Sequence, residues 1–191
     1  MKITINRQNF LTALRAVSLA ISDDETREPQ RSVAITAHED RLELAATNGH
    51  WIMRWREPVV EWVDRDGPAR FRLRATDVKG AIAWLKARAK TGVVELDMAG
   101  TWEADCTTWS ALPHETEFPP YEDLMAACER LTVNAPRTTP TMLSGEYAAL
   151  ACRAFKLAGH DARFLFGEAV DPVVVTAQYC PLTAIIMPVR L

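Results

Sequence analysis

One pattern recurs three times along this chain and constrains its fold more than any other feature. It is a short strand, a polar break, and then an amphipathic helix. The first copy runs from a strand at Lys2–Ile5 into a helix from about Gln8 to Ala20. The second runs from Phe71–Arg74 into a helix from about Thr76 to Ala89, and the third from Thr141–Leu143 into a helix from about Gly145 to Ala158. The first two copies register at an offset of 68, which matches Ile3 with Phe71, Ile5 with Leu73, Phe10 with Val78, Leu14 with Ile82 and Val17 with Leu85. The helical members of these pairs fall at i, i+4 and i+7, one side of a helix, so each pair marks the face that is buried. A chain made of one repeated unit buries each copy against its neighbours, which points to a stacked or ring-like architecture.

Strand-like segments follow each helix. After the first come Arg31–Ala37, Arg41–Thr47 and His50–Arg56, with a polar turn at Glu39-Asp40. After the second come Val93–Met98, Thr101–Cys106 and Thr107–Leu112, and after the third Arg163–Phe166, Val173–Gln178 and Thr183–Pro188. Each unit therefore reads strand, helix, three strands. The first two units make a complete domain over about residues 1–116, and the third makes a half-domain over about 143–191. Between them, residues 117–142 hold Pro119, Pro120, Pro136 and Pro140, which predicts an extended, partly irregular connector with a remnant strand at Leu131–Val133. A half-domain leaves a sheet edge unpaired, and such an edge invites association with another chain, so an oligomer is expected.

A chain of 191 residues is long enough to bury its own core. No apolar run reaches the roughly 18–20 residues of a membrane helix, and the start, MKITINRQNF, has no apolar signal region. Cys106, Cys128, Cys152 and Cys180 are widely spaced with no C-x-x-C pair, which reads as reduced thiols in a cytosolic protein and not as a zinc site or disulfide framework. The formal net charge is -3, so any nucleic-acid contact must come from a local basic face. The helices supply one. Opposite the apolar stripe of the first lie Gln8, Thr12 and Arg15. Lys79, Lys86 and Lys90 sit around Ala83 on the second, with Arg88 nearby, and Arg153, Lys156 and His160 sit around Ala149 on the third. Asp77 and Glu146 are the acidic residues near these helix starts. Positive charge on helices and negative charge on strands and turns suits salt-sensitive contacts to phosphates that read no base sequence. The plainer reading is that surface helices commonly carry lysine and arginine.

Catalytic signatures are missing. His38, His50, His114 and His160 are scattered, no H-E-x-x-H occurs, and neither a phosphate-cradling G-x-x-x-x-G-K-[ST] nor a G-x-S-x-G turn is present. The acidic run Asp23-Asp24-Glu25 lies beside Arg27 and Glu28 in a loop and reads as a solvated turn. Of the tryptophans at 51, 55, 62, 84, 102 and 109, the pair 51 and 55 shares one strand face and reads as sheet packing before base stacking.

Four short motifs, in order along the chain, carry a resemblance. The carboxyl end Ile185-Ile186-Met187-Pro188-Val189-Arg190-Leu191 resembles the terminal M-P-M-R-L of bacterial DNA sliding clamps, the beta subunit of DNA polymerase III, with Val189 in place of the second methionine. Met1-Lys2-Ile3-Thr4-Ile5-Asn6-Arg7 resembles the start of that family. Thr47-Asn48-Gly49-His50 resembles its T-D-G-H, and Glu117-Phe118-Pro119-Pro120-Tyr121 its E-F-P-D-Y linker. The resemblance implies an α+β fold of clamp-type repeats with helices on one face of antiparallel sheets. It also implies a cytoplasmic, nucleoid-associated role in replication without a catalytic site, a cofactor or a metal. In the family, two chains of three domains close a ring around duplex DNA; four chains of the present kind, with twelve repeat units between them, would supply the same content.

Two sites follow from the resemblance. Partner proteins of the family, among them DNA polymerase, dock a linear motif between two domains against the tail, and a clamp loader is a further possible partner. The matching positions are Thr47, Gly49, His50, Trp51, Ile52, Pro119, Asp123, Leu124, Ile186, Met187, Pro188, Val189, Arg190 and Leu191. Apolar walls from Ile52, Leu124, Ile186, Met187, Pro188 and Val189 would hold leucine- or phenylalanine-like anchors. Trp51 and Asp123 stand where the family has arginines, which alters partner preference. The DNA-facing set is Arg15, Lys79, Lys86, Arg88, Lys90, Arg153 and Lys156. The alternative is an adaptor that keeps the cleft but does not encircle DNA.

Overall fold

The computed structural model describes residues 2–59, 61–64, 70–87, 92–97, 101–104, 107–110, 118–129, 141–167 and 171–189. The first unit comprises β1 (Lys2–Asn6), α1 (Arg7–Val17), β2 (Ser32–Ala37), β3 (Arg41–Thr47), β4 (Trp51–Pro58) and β5 (Glu61–Asp64). The second comprises β6 (Arg70–Arg74), α2 (Ala75–Ala87), β7 (Val93–Asp97), β8 (Thr101–Ala104) and β9 (Thr107–Ser110). Then come α3 (Glu122–Glu129), α4 (Gly145–Leu157), β10 (Arg163–Leu165), β11 (Val173–Thr176) and β12 (Leu182–Ile186).

The described strands make a seven-stranded sheet in the order β10-β11-β12-β4-β3-β2-β6, a three-stranded sheet β5-β1-β7, and the pair β8-β9. Every pairing is antiparallel. The first two units exchange their leading strands: β1 pairs with β7 of the second unit, and β6 pairs with β2 of the first. The third unit adds its strands to the first through β12 on β4, so one sheet runs unbroken from β6 to β10.

Local chemistry sets the helix limits. Asn6 ends β1, and its side-chain oxygen accepts from the Asn9 backbone N–H at 3.0 Å, which starts α1 directly from the strand. Ser144 caps α4 in the same way through the Tyr147 N–H. Beyond α4, Gly159 takes φ 82°, and its N–H and that of His160 return to the carbonyls of Lys156 and Phe155. That left-handed stop is open to glycine at little cost. The buried guanidinium of Arg7 donates to the Leu85 carbonyl, which sets a cation near the negative end of α2.

All three long helices lie on one side of the sheets, with α1 packed against both α2 and α4. Alternation along β4 sends Trp51, Met53 and Trp55 into that helix-side core. Facing them across the β4–β12 ladder are Ile186, Ala184 and Leu182, all buried there too. The opposite side of the same sheet holds a second, smaller cluster. Ala45, Val174 and Ile185 pack under Tyr121 and Met125, with Ile52, Phe118, Leu124 and Leu165 at its margin. The segment from Phe118 through α3 therefore lies across the junction of the first and third units, on the face the long helices do not cover. Beside it, the buried carboxylate of Glu43 accepts from the Tyr121 hydroxyl at 2.8 Å and pairs with Arg56 at 3.2 Å and Arg54 at 4.0 Å.

The matched pairs from the repeat are buried, apart from Ile82, which is half-buried. Several details differ from expectation. Thr141–Leu143 is not a strand; instead the Val189 N–H donates to the Met142 carbonyl at 2.9 Å. The connector is not simply irregular, since α3 forms directly after Tyr121. The first helix ends at Val17 and closes with a 3-10 turn over Ser18–Ala20. The extra strand β5 does not join β2–β4 in the seven-stranded sheet but pairs with β1 at the edge of the three-stranded one. The remnant strand expected at Leu131–Val133 lies outside the described residues.

Candidate functional site

The helix layer carries the first candidate surface. Each helix turns its apolar stripe to the sheets, so the opposite stripe faces away from them. On α1 that stripe is Gln8, exposed, with Thr12 and Arg15 half-buried. On α2 it is Lys79, Ala83 and Lys86, all exposed, and on α4 it is Ala149, Arg153 and Lys156, also exposed. The acidic residues of α2 and α4, Asp77 and Glu146, sit in first turns, where the positive helix end favours them. The basic residues stand further along each helix, over the outward face. Arg88 and Lys90 lie outside the described residues.

The second candidate surface begins at the turn between β3 and β4. The Thr47 hydroxyl donates to the Trp51 carbonyl at 2.8 Å and accepts from the Gly49 N–H at 3.0 Å. Asn48 Oδ1 accepts from the N–H groups of His50 and Trp51. Thr-Asn-Gly-His is thus a self-bonded turn in which two side chains satisfy the backbone. Gly49 sits at φ 89°, and a Cβ there would stand 2.9 Å from Arg27 Nη1. Trp51 is buried and stacks on Tyr147 of α4 at 5.7 Å, and His50 stacks on the same ring at 6.1 Å. The tail passes this turn. The Met187 N–H donates to the His50 carbonyl at 3.0 Å, and the next amide along, that of Val189, reaches Met142. Three apolar side chains remain open to solvent here: Met142 at 51%, Val189 at 46% and Met187 at 37%. Pro188 is half-buried between them.

The residues expected to share a peptide cleft therefore fall into three places. Thr47, Gly49, His50, Met187, Pro188 and Val189 come together at the turn. Ile52 and Leu124 meet in the outer cluster, Asp123 is exposed beside them on α3, and Pro119 helps line a cavity further across the same face. Trp51 and Ile186 instead point to the helix-side core, opposite each other in the ladder. Ile185, directly opposite Ile52, takes the outward position expected of Ile186. Arg190 and Leu191 lie outside the described residues. Met142, Tyr147, Ile185 and Tyr121 are additions to the sequence-derived set. Burial, and then the adjacent Glu43 charge and hydrogen bond, push the Tyr121 phenol far above its ordinary range, so it remains a hydrogen-bond donor.

Among the described residues, no group of three or more His, Cys, Asp or Glu side chains is placed to hold a metal ion. No described helix is long and apolar enough to cross a membrane. Cys152 is exposed and Cys180 half-buried, both as free thiols.

No protein-family model matches the chain, and no curated relative is found for it. Solved structures do match. The beta sliding clamp of Caulobacter crescentus, with polyethylene glycol bound to a putative beta-motif tethering region, superposes with a TM-score of 0.74 at 15% identity over 100% of this chain. The sliding clamp of Bartonella birtlesii bound to griselimycin gives 0.73 at 16% identity, and the DNA polymerase III beta subunit of Thermotoga maritima 0.74 at 14%, each over 100% of this chain. The chain spans 65% of the length of the Caulobacter protein and 66% of the other two. This likeness shows that the chain has the fold of the bacterial sliding clamps.

Proposed function

We propose that this chain, which has the sliding-clamp fold, is a clamp-like accessory protein of DNA replication with no catalytic site of its own. It wraps or encircles duplex DNA with the outward stripes of α1, α2 and α4 and tethers polymerase or other partners through a groove at its tail. The observation that carries this reading is the single helix layer whose sheet-averted stripes hold Arg15, Lys79, Lys86, Arg153 and Lys156. On a chain of net charge -3, such a layer attracts phosphates locally while the rest of the molecule repels them. Lysine and arginine on long, solvated stems make contacts that shift from one phosphate to the next, as sliding requires.

The tail groove rests on the exposed Met142, Met187 and Val189 beside the His50 turn, and the half-buried Ile52 and Leu124 at the margin of the outer cluster would extend it. Methionine adapts its shape to varied anchors, which suits a site with several partners. Residues 1–116 would act as one two-unit domain and 143–191 as a half-domain, with residues 117–142 as the linker between them; several copies would assemble around DNA, loaded there by a clamp loader.

Duplex binding measured against salt tests the reading. The native chain should lose affinity steeply as salt rises, with a slope of about 0.9 for each phosphate contact. The triple variant Lys79→Glu, Lys86→Glu, Arg153→Glu should bind more weakly with a shallower slope, and an unchanged slope refutes the helix-face assignment. Removal of Met187–Leu191 should abolish binding of clamp-motif peptides, and retained affinity refutes the groove. A strict monomer that binds such peptides and not DNA points to the non-encircling adaptor.

A further inference from the structure

We propose that the outer face of β6 holds a separate docking site for a short acidic peptide segment, one that presents an apolar side chain next to a carboxylate. Along β6, Phe71 and Leu73 turn into the helix-side core, so Arg70, Arg72 and Arg74 alternate onto the other face. Arg70 and Arg72 form one wall of a cavity of about 200 Å³. Ala34 and Thr36 of β2 lie beside them in the lining, and Phe118 to Glu122 complete it. Further along the strand, Arg31, Arg74 and Glu28 line a second cavity of about 240 Å³.

The charge of this region favours an anion. Four guanidinium groups line the two cavities against two carboxylates, Glu122 and Glu28, on a molecule whose overall charge is negative. Arg72 is only 2% exposed and meets Glu28 at 3.4 Å, so its charge acts in a weakly screened setting. Arg70 and Glu122 form a half-exposed pair at 2.9 Å. An exposed pair of that kind contributes little, so a ligand carboxylate can replace Glu122 on Arg70 at small cost. Glu122 thus marks where the incoming acid sits. The apolar part of the lining selects the rest of the ligand. Phe118, Pro119 and Pro120 give an apolar surface that a bare phosphate or a nucleic-acid backbone would leave unused. An extended peptide with a leucine or phenylalanine beside an aspartate or glutamate satisfies both parts.

The site is distinct from the tail groove, and calorimetric titration of the full chain with two synthetic peptides separates them. The probes are Gly-Leu-Phe-Asp-Glu and its uncharged counterpart Gly-Leu-Phe-Asn-Gln. The acidic peptide should bind about tenfold or more tightly than the amide form, and more weakly as salt rises. Arg70→Gln should remove that preference, and Glu122→Gln should strengthen acidic-peptide binding severalfold by vacating Arg70. Both positions are about half exposed, so these variants should melt as the native chain does. Deletion of Met187–Leu191 should leave the acidic peptide bound. Equal binding of the two peptides, no binding of either, or indifference to both substitutions overturns the proposal. So does competition by inorganic phosphate as strong as by the peptide, since that shows an anion site with no use for the apolar wall.

Discussion

The two faces of the seven-stranded sheet are built from the same strands but follow different rules. On the helix side, Trp51, Met53 and Trp55 meet Ile186, Ala184 and Leu182 in one continuous apolar core under α1 and α4. On the outer side, the residues between them are Ile52, Arg54 and Arg56, covered by a short segment, a small apolar cluster and the buried Glu43 pairings. The helix side is closed by many mutual contacts and tolerates little change. The outer side depends on a strap, Phe118–Glu129, whose hold comes from a few anchors. The proposed arginine-lined docking cavity lies at the margin of that strap, where cover is partial.

Equivalent truncations on the two faces should therefore differ in cost. Ile186→Ala should cost about 2–5 kcal/mol, because it opens a cavity in a core that cannot collapse around it. Ile185→Ala, one residue away on the outer face, should cost less, near the lower end of that range, since the strap can settle into the space. Equal losses in denaturant unfolding would show that the faces are alike. Tyr121→Phe should cost about 1.5–3 kcal/mol by leaving the Glu43 acceptor without its phenol donor. The pH dependence has a definite sign. The phenol's folded-state pKa is raised, so its contribution is complete below the ordinary tyrosine range and is lost as pH rises beyond it. In a spectrophotometric titration Tyr121 should keep its proton at pH values where ordinary tyrosines ionise. Leu124→Ala, at a half-buried anchor of α3, should cost about 1 kcal/mol and loosen the strap. Lys79→Glu should change stability by no more than about 0.5 kcal/mol, although the same substitution is expected to affect DNA association; a large stability loss would mean that Lys79 is a structural residue.

The helix side was readable from the sequence because a helical stripe and its repeat at a fixed offset carry information twice. Phe10, Leu14 and Val17 mark one face by spacing, and Val78, Ile82 and Leu85 mark it again. The outer face was harder. Ala184-Ile185-Ile186-Met187 is apolar at every position, so alternation is silent, and the pairing of Ile185 with Ile52 decides which isoleucine faces out. The strap helix did leave a signal. Pro119-Pro120, then Glu122 and Asp123 ahead of Leu124 and Met125, is a proline break followed by an acidic first turn and apolar residues. Four prolines across the connector masked it. The role of Tyr121 left no trace, because its partner Glu43 lies 78 positions away in the sequence.

The proposal requires that the helix layer, and not the strapped face, meet DNA. A benzophenone side chain placed at Ala83 of α2, Ala149 of α4 or Asp123 of α3, all exposed positions, tests it directly by photocrosslinking to duplex DNA. If the helix layer meets DNA, adducts form from positions 83 and 149 and only background from position 123. Adducts from position 123 that match or exceed those from the helix layer would contradict it.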